Sequence, residues 1–193
     1  MSFSSADLIN AVQQPCDDVA ARIIRHAQTL GLSISCAESL TGGLLADAFV
    51  RIPGASDVFV GSAVTYATES KASVLQVNNE TLQRYGAVHA ETVRQMVTGV
   101  GVLFRSTIQV ATTGVAGPTQ QDGQPVGRFY IGLLLPGMTH AEVVTGRISD
   151  DEIEGLAHGG SDRRECIRRV VVAVALTELL RCLGRITHKQ GCD

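Results

Sequence analysis

The sequence predicts an α/β protein, a three-layer α/β/α sandwich with a mixed β-sheet, and three observations lead there. Segments with strand-type patterning alternate along the chain with segments whose apolar residues recur at helical spacing. Two strand-type segments in the C-terminal half are joined only around Pro136-Gly137, which reads as a hairpin and brings antiparallel pairing into the sheet. The composition is aliphatic, 45% hydrophobic with 4% aromatic residues and 20 glycines, which suits packed layers joined by tight turns. At 193 residues the chain can bury one sizeable core but is short for two, so a single domain is expected over residues 1–193.

Residues 1–15 read as a loosely attached N-terminal arm or short helix ending at Pro15. Val19, Ile23, Ile24, Ala27 and Leu30 then form a helical stripe that Gly31 stops. Leu32 to Cys36 alternates with a period near two and predicts a strand. Leu44, Leu45, Ala48 and Phe49 predict a helix from about Gly42 to Arg51, closed by Ile52-Pro53-Gly54. The nearly continuous apolar run from Val58 to Tyr66 is expected as a strand buried on both faces, followed by a short helix carrying Lys71, Ala72 and Leu75.

A further short helix opens at Asn79 or Glu80 and ends at Gly86. Val93, Met96, Val97 and Val100 then mark a helix from Glu91 to Phe104. Thr107 to Thr113 predicts a strand ending in the tight loop Gly114-Val-Ala-Gly-Pro118, and the polar stretch Thr119 to Pro125 is expected to be a mobile loop. The hairpin strands run from Gly127 to Leu135 and from His140 to Ile148. The acidic run Asp150 to Glu154 and the pair Gly159-Gly160 are expected to form the last connection. A long helix over residues 162–183 has its stripe at Ile167, Val170, Val171, Val174 and Leu179, with a tail after Gly184 expected to fray.

Charge and cysteine usage exclude several classes of function. The net charge is −3 and no Lys/Arg-rich run occurs, so nucleic acid is not an expected partner. Five cysteines without a C-x-x-C pair indicate neither a disulfide framework nor a zinc site, and reduced thiols fit a cytoplasmic protein. No leader is recognised at the N-terminus, and no apolar run approaches the ~18 residues of a membrane span. The acidic run lacks His or Cys companions, so no metal is expected. Apolar helix faces suggest a homo-oligomer.

Chemistry is expected where the first strand meets its helix, in Ser35-Cys-Ala-Glu-Ser-Leu-Thr-Gly-Gly43. Gly42 and Gly43 allow close backbone approach, and the N–H groups of a helix start attract a phosphate or a developing oxyanion. Ser39 would lie at the mouth of that site. From local sequence alone, the plainer reading is that Ser39 and Thr41 only cap the helix.

A serine nucleophile needs an adjacent base, and the five histidines are scattered, with His158 the nearest to a Gly-rich loop. Lysine occurs only at positions 71 and 189. Lys71 follows a buried strand that ends at Tyr66, and a lysine shielded from water can serve as a general base near neutral pH. The Tyr66 hydroxyl beside it could relay the proton to a leaving group. A solvated helix lysine and a strand-end aromatic are the plain alternatives. Arg163, in the first turn of the long helix, opposes the macrodipole, which an anionic ligand or a charged outer face shared with Glu165 would explain. Cys36 is a rival nucleophile or inert packing.

Four stretches together resemble one family. They are AESLTGG (37–43), TYATESK (65–71), TTGVAGP (112–118) with QPVGRFYIG (124–132), and GGSDRRECIRR (159–169). In order and spacing they are similar to the motifs of the CinA C-terminal-domain family, the nicotinamide-nucleotide amidases, from about residue 16 to residue 183. The resemblance implies hydrolysis of nicotinamide mononucleotide, a small-molecule substrate, to nicotinic acid mononucleotide and ammonia, without a cofactor. It implies Ser39 as nucleophile, Lys71 as its base and Tyr66 as relay or positioning partner. The backbone around Thr41 and Gly42 would stabilise the oxyanion, and Thr113, Gly114, Gly117 and Arg163 would hold the ribose phosphate. Leu40, Thr68, His89, Gln124 and Ser161 depart from the usual residues of these motifs, and Ser161 allows the alignment of Arg163 to shift by one position. Because the family also occurs fused to a phosphohydrolase-type domain, a catalytically silent nucleotide-binding module is the alternative.

Overall fold

The computed structural model describes residues 16–156 and 163–190. The N-terminal arm, His158 and the Gly159-Gly160 pair lie outside the described residues. The elements are α1 (Cys16–Leu30), β1 (Ile34–Glu38), α2 (Leu44–Val50), a 3-10 turn (Ala55–Asp57), β2 (Phe59–Val64), α3 (Thr68–Leu75), α4 (Asn79–Tyr85), α5 (Ala90–Phe104), β3 (Ile108–Gly114), β4 (Arg128–Leu134), β5 (Glu142–Arg147), α6 (Asp150–Leu156) and α7 (Arg163–Gln190).

Five strands form one sheet in the order β2-β1-β3-β4-β5. β1 pairs in parallel with both β2 and β3, and β3, β4 and β5 pair antiparallel in succession, so the sheet is mixed. One face is covered by α1, α2 and α7, whose Ile23, Phe49, Val171 and Leu179 pack on Ile34, Val110 and Ile131. The other face is covered by α5, whose Val93, Met96, Val97 and Val100 pack with Ala37 and Ala111. The fold is therefore the three-layer α/β/α sandwich that the alternation of patterns indicates.

The two parallel neighbours β1 and β2 are followed by connections on opposite faces, α2 on one and α3 to α5 on the other. In open α/β sheets that arrangement opens a crevice beyond the carboxyl ends of the strands, and ligands bind there. The short helix α3 is seated close to α5: a Cβ on Gly99 would lie 1.9 Å from the Leu75 carbonyl oxygen, so only glycine permits this approach.

Four local expectations need correction. β2 is an edge strand, with Val60 and Val64 each 49% exposed, rather than a strand buried on both faces. Its continuous apolar run could not reveal that the sheet ends there. The acidic run is not a connection but helix α6, opened by a reciprocal cap in which Ser149 Oγ accepts from the Glu152 amide and Glu152 Oε2 accepts from the Ser149 amide. Helix α7 does not end near residue 183 but runs to Gln190. The polar loop 119–125 is tied down rather than free, through Asp122 and the reciprocal backbone bonds of Gln121 and Gln124.

Candidate active site

Ser39 follows β1 directly, held by its amide, which donates to the Thr112 carbonyl of β3 at 3.0 Å. It lines a cleft of about 420 Å³ together with Tyr66, Thr68, Gly114, Gly117 and Arg164. The turn carrying it is fixed from within by Glu38, whose side chain is fully buried. Glu38 Oε2 accepts from the Gly43 amide (2.9 Å), the Leu45 amide (3.0 Å) and Thr41 Oγ1 (2.8 Å). Glu38 Oε1 accepts from the Ala46 amide (3.0 Å) and Ser62 Oγ (2.9 Å). The N-terminus of α2 is thus occupied by the chain's own carboxylate, which corrects the expectation that its free N–H groups await a phosphate.

Neighbouring groups complete the turn. The Gly42 amide donates to the Ser39 carbonyl at 3.1 Å, and Gly42 itself has φ +57, a conformation suited to glycine. Arg168 of α7 donates to the carbonyls of Leu40 (3.1 Å) and Thr41 (2.8 Å). The amides of Leu40 and Thr41 have no partner among the described residues. Of the two, Leu40 lines the cleft, whereas Thr41 is fully buried and does not.

Lys71 enters the site from α3, and its side chain is wholly buried. Its Nζ is 3.2 Å from Ser39 Oγ, 2.7 Å from the Thr65 carbonyl oxygen and 3.4 Å from the Tyr66 carbonyl oxygen. A neutral amine has two N–H donors and one lone pair. With both donors directed at the carbonyls of residues 65 and 66, the lone pair is left to face the serine hydroxyl. Burial pushes Lys71 down from 10.5 to about 8, against opposing attraction from Asp122 and Glu69. At pH 7 about one such amine in ten is unprotonated, which suffices for a general base.

Tyr66 lines the cleft with a side chain 60% exposed, and its hydroxyl accepts from Arg164, which also donates to the Gly117 carbonyl. Among the described residues Lys71 meets the main chain of Tyr66 and not its phenol. Gly114 lets the end of β3 pass close to β4, since a Cβ there would lie 2.5 Å from the Arg128 carbonyl oxygen.

Thr113 and Arg163 stand apart from Ser39. Thr113 is buried, with Oγ1 donating to the Ala87 carbonyl at 2.7 Å, and it does not line the cleft. Arg163 is paired with Asp150 and with Glu154 at 3.1 Å, so the chain's own α6 supplies the anions that its place at a helix start calls for. Arg164 is the arginine that lines the cleft. Sequence reasoning gives no site role to Glu38, Arg164 or Arg168. The last two are four residues apart and share a helix face, a spacing that separates them from Arg163. Glu38 was visible as a carboxylate at the end of an otherwise uncharged strand.

A buried Ser–Lys pair in hydrogen-bond contact beyond the carboxyl ends of parallel strands makes this an α/β protein with a candidate catalytic pair. A family profile described as the CinA C-terminal domain matches residues 16–183. The chain is 48% identical to a CinA-like protein of Petrotoga mobilis over 104 residues, covering 53% of this chain and 26% of that protein. A competence-damaged protein (CinA) superfamily protein from Klebsiella pneumoniae superposes with a TM-score of 0.78 at 29% identity, covering 89% of this chain and 99% of that one. The competence/damage inducible protein CihA from Agrobacterium tumefaciens superposes with a TM-score of 0.74 at 35% identity, covering 88% and 95%. The chain belongs to the CinA C-terminal domain family. It spans between 26% and 34% of the length of curated relatives such as those from Petrotoga mobilis and Clostridium botulinum.

Proposed function

We propose that the chain is an amidase that hydrolyses the carboxamide of nicotinamide mononucleotide to nicotinic acid mononucleotide and ammonia. The observation that carries this reading is the buried Lys71 amine 3.2 Å from Ser39 Oγ at the wall of an open cleft. The four sequence motifs shared with the amidases of this family support the choice of substrate.

In the first step the Ser39 Oγ–H proton passes to Lys71 Nζ as Oγ bonds to the carboxamide carbon. The carbonyl oxygen becomes an oxyanion, for which the unpaired amide of Leu40, a residue lining the cleft, is the nearby donor. Collapse breaks the C–N bond while the Lys71 ammonium returns its proton to the departing nitrogen, releasing ammonia and leaving an acyl ester on Ser39. A water deprotonated by the same amine then attacks that ester, and Ser39 leaves with the proton. Arg164, bridging Tyr66 and Gly117 at the rim, is suited to the phosphate of the nucleotide.

The test is ammonia release from a panel of pyridine nucleotides, with Ser39→Ala as control. The amidase reading predicts release from nicotinamide mononucleotide that the control lacks. Equal background release by both proteins would instead leave a nucleotide-binding module.

A further inference from the structure

We propose that Asp122 is a positioning residue for this site, clamping the loop that walls the Ser39 cleft onto the turn before α5 and carrying the negative charge that this loop brings toward the base. The role assigned to that base rests on the amidase reading above.

The geometry is a chain of contacts from the sheet to the cleft. Thr119, Gln120 and Gln121 line the cleft, and Asp122 follows them in a left-handed conformation, φ 51. Its Oδ2 accepts from the amides of Ala87 (2.7 Å) and Val88 (3.3 Å). The carboxylate fits there because residue 86 is glycine: a Cβ at Gly86 would lie 2.6 Å from Asp122 Cγ and Oδ2. The turn it grips is itself fixed, by Thr113 Oγ1 to the Ala87 carbonyl (2.7 Å) and by Thr92 Oγ1 to the Gly86 carbonyl (2.8 Å). The hydroxyl of Thr113 is therefore engaged in holding this turn. The loop closes on itself through backbone bonds of 3.1 and 2.8 Å between Gln121 and Gln124.

The same carboxylate acts on Lys71. Asp122 attracts the ammonium from the loop and Glu69 from its own helix α3, both opposing the effect of burial. Among the described residues, the other charged or titratable groups lining the cleft are Arg164 and the Tyr66 phenol bonded to it. Removing the Asp122 charge while preserving its hydrogen bonds should make the lysine lose its proton more easily.

The experiment reads the amine directly. Lysine occurs only at positions 71 and 189, so ¹³Cε-lysine labelling of the full chain gives two signals to follow against pH. Asp122→Asn keeps the size and an oxygen that accepts from Ala87 and Val88, and lacks the charge. The Lys71 midpoint should fall by a few tenths of a pH unit, the size of effect expected when one unbonded charge acts through a high effective dielectric. Asp122→Ala removes the acceptor, and hydrogen exchange at the Ala87 and Val88 amides should speed up ~10-fold, as expected when a charge-assisted hydrogen bond worth about 1.4 kcal/mol is lost. Asp122→Asn should preserve that protection. An unmoved or raised Lys71 midpoint in Asp122→Asn, or unchanged exchange in Asp122→Ala, overturns the proposal. Neither readout needs catalysis, so absence of ammonia release by the wild-type chain would refute the amidase reading alone.

Discussion

Replacing Glu38 by Gln tests whether the turn carrying Ser39 is held by one carboxylate. The wild-type side chain is fully buried and accepts five hydrogen bonds, three from amides at the start of α2 and two from hydroxyls. A glutamine has one acceptor oxygen and must turn an NH₂ group toward the rest. The least costly orientation places NH₂ at the Oε1 position, where Ser62 can rotate to accept but the Ala46 amide is left opposite another donor. An orphaned buried amide costs about 1–3 kcal/mol, and losing a negative charge at a partly buried helix N-terminus costs up to ~2 kcal/mol more. The expected loss is therefore about 3 kcal/mol, which for a domain of this size lowers the melting temperature by about 6–12 °C. Urea denaturation of both proteins measures it. Ser62→Ala, which removes one donor and leaves the amides paired, should lose only about 1 kcal/mol. A Glu38→Gln loss below about 1 kcal/mol would refute the claim that this carboxylate organises the turn.

Other outcomes follow from the same geometry. Lys71→Ala and Ser39→Ala should each lower kcat for amide hydrolysis by at least ~10²-fold, with far-UV circular dichroism unchanged. Because the base must be neutral, kcat/KM should fall about tenfold per pH unit below a limb near pH 8 and level off above it. Stability carries the matching sign. The unfolded chain holds the Lys71 proton up to about 10.5 and the folded chain only up to about 8, so wild type should gain stability relative to Lys71→Met as pH rises between those values. Arg164→Ala should raise KM for a nucleotide amide by ~10-fold or more, whereas Arg163→Ala should change KM less than twofold and show its effect in α6–α7 packing, comparisons made by steady-state kinetics.

The layers of this fold were legible because periodicity reports which face of an element is buried. Ile23, Ile24 and Ala27, or Val93, Met96 and Val97, recur at spacings that only a helix against a core explains. The position of β2 at the sheet edge was not legible, since Val60 and Val64 look the same in sequence whether a neighbouring strand covers them or not. Ser39 and Lys71 could be singled out by motif and by the scarcity of lysine, but their approach to 3.2 Å depends on α3 crossing the strand ends, a tertiary fact. Glu38 illustrates the converse. A helix start preceded by glycines suggests an anion site, and only the register of β1 shows that the anion is residue 38 itself. Arg163 and Arg164 are adjacent in sequence, yet the 100° between successive helix positions sends one to Asp150 and Glu154 and the other to the cleft.

The most direct measurement is mass spectrometry of the protein quenched in acid during turnover of nicotinamide mononucleotide. Activation of Ser39 by Lys71 predicts a nicotinoyl-mononucleotide ester on the peptide containing Ser39, formed together with ammonia and absent from the Lys71→Ala protein. Ammonia release without such an adduct, and undiminished in Ser39→Ala, would contradict the account.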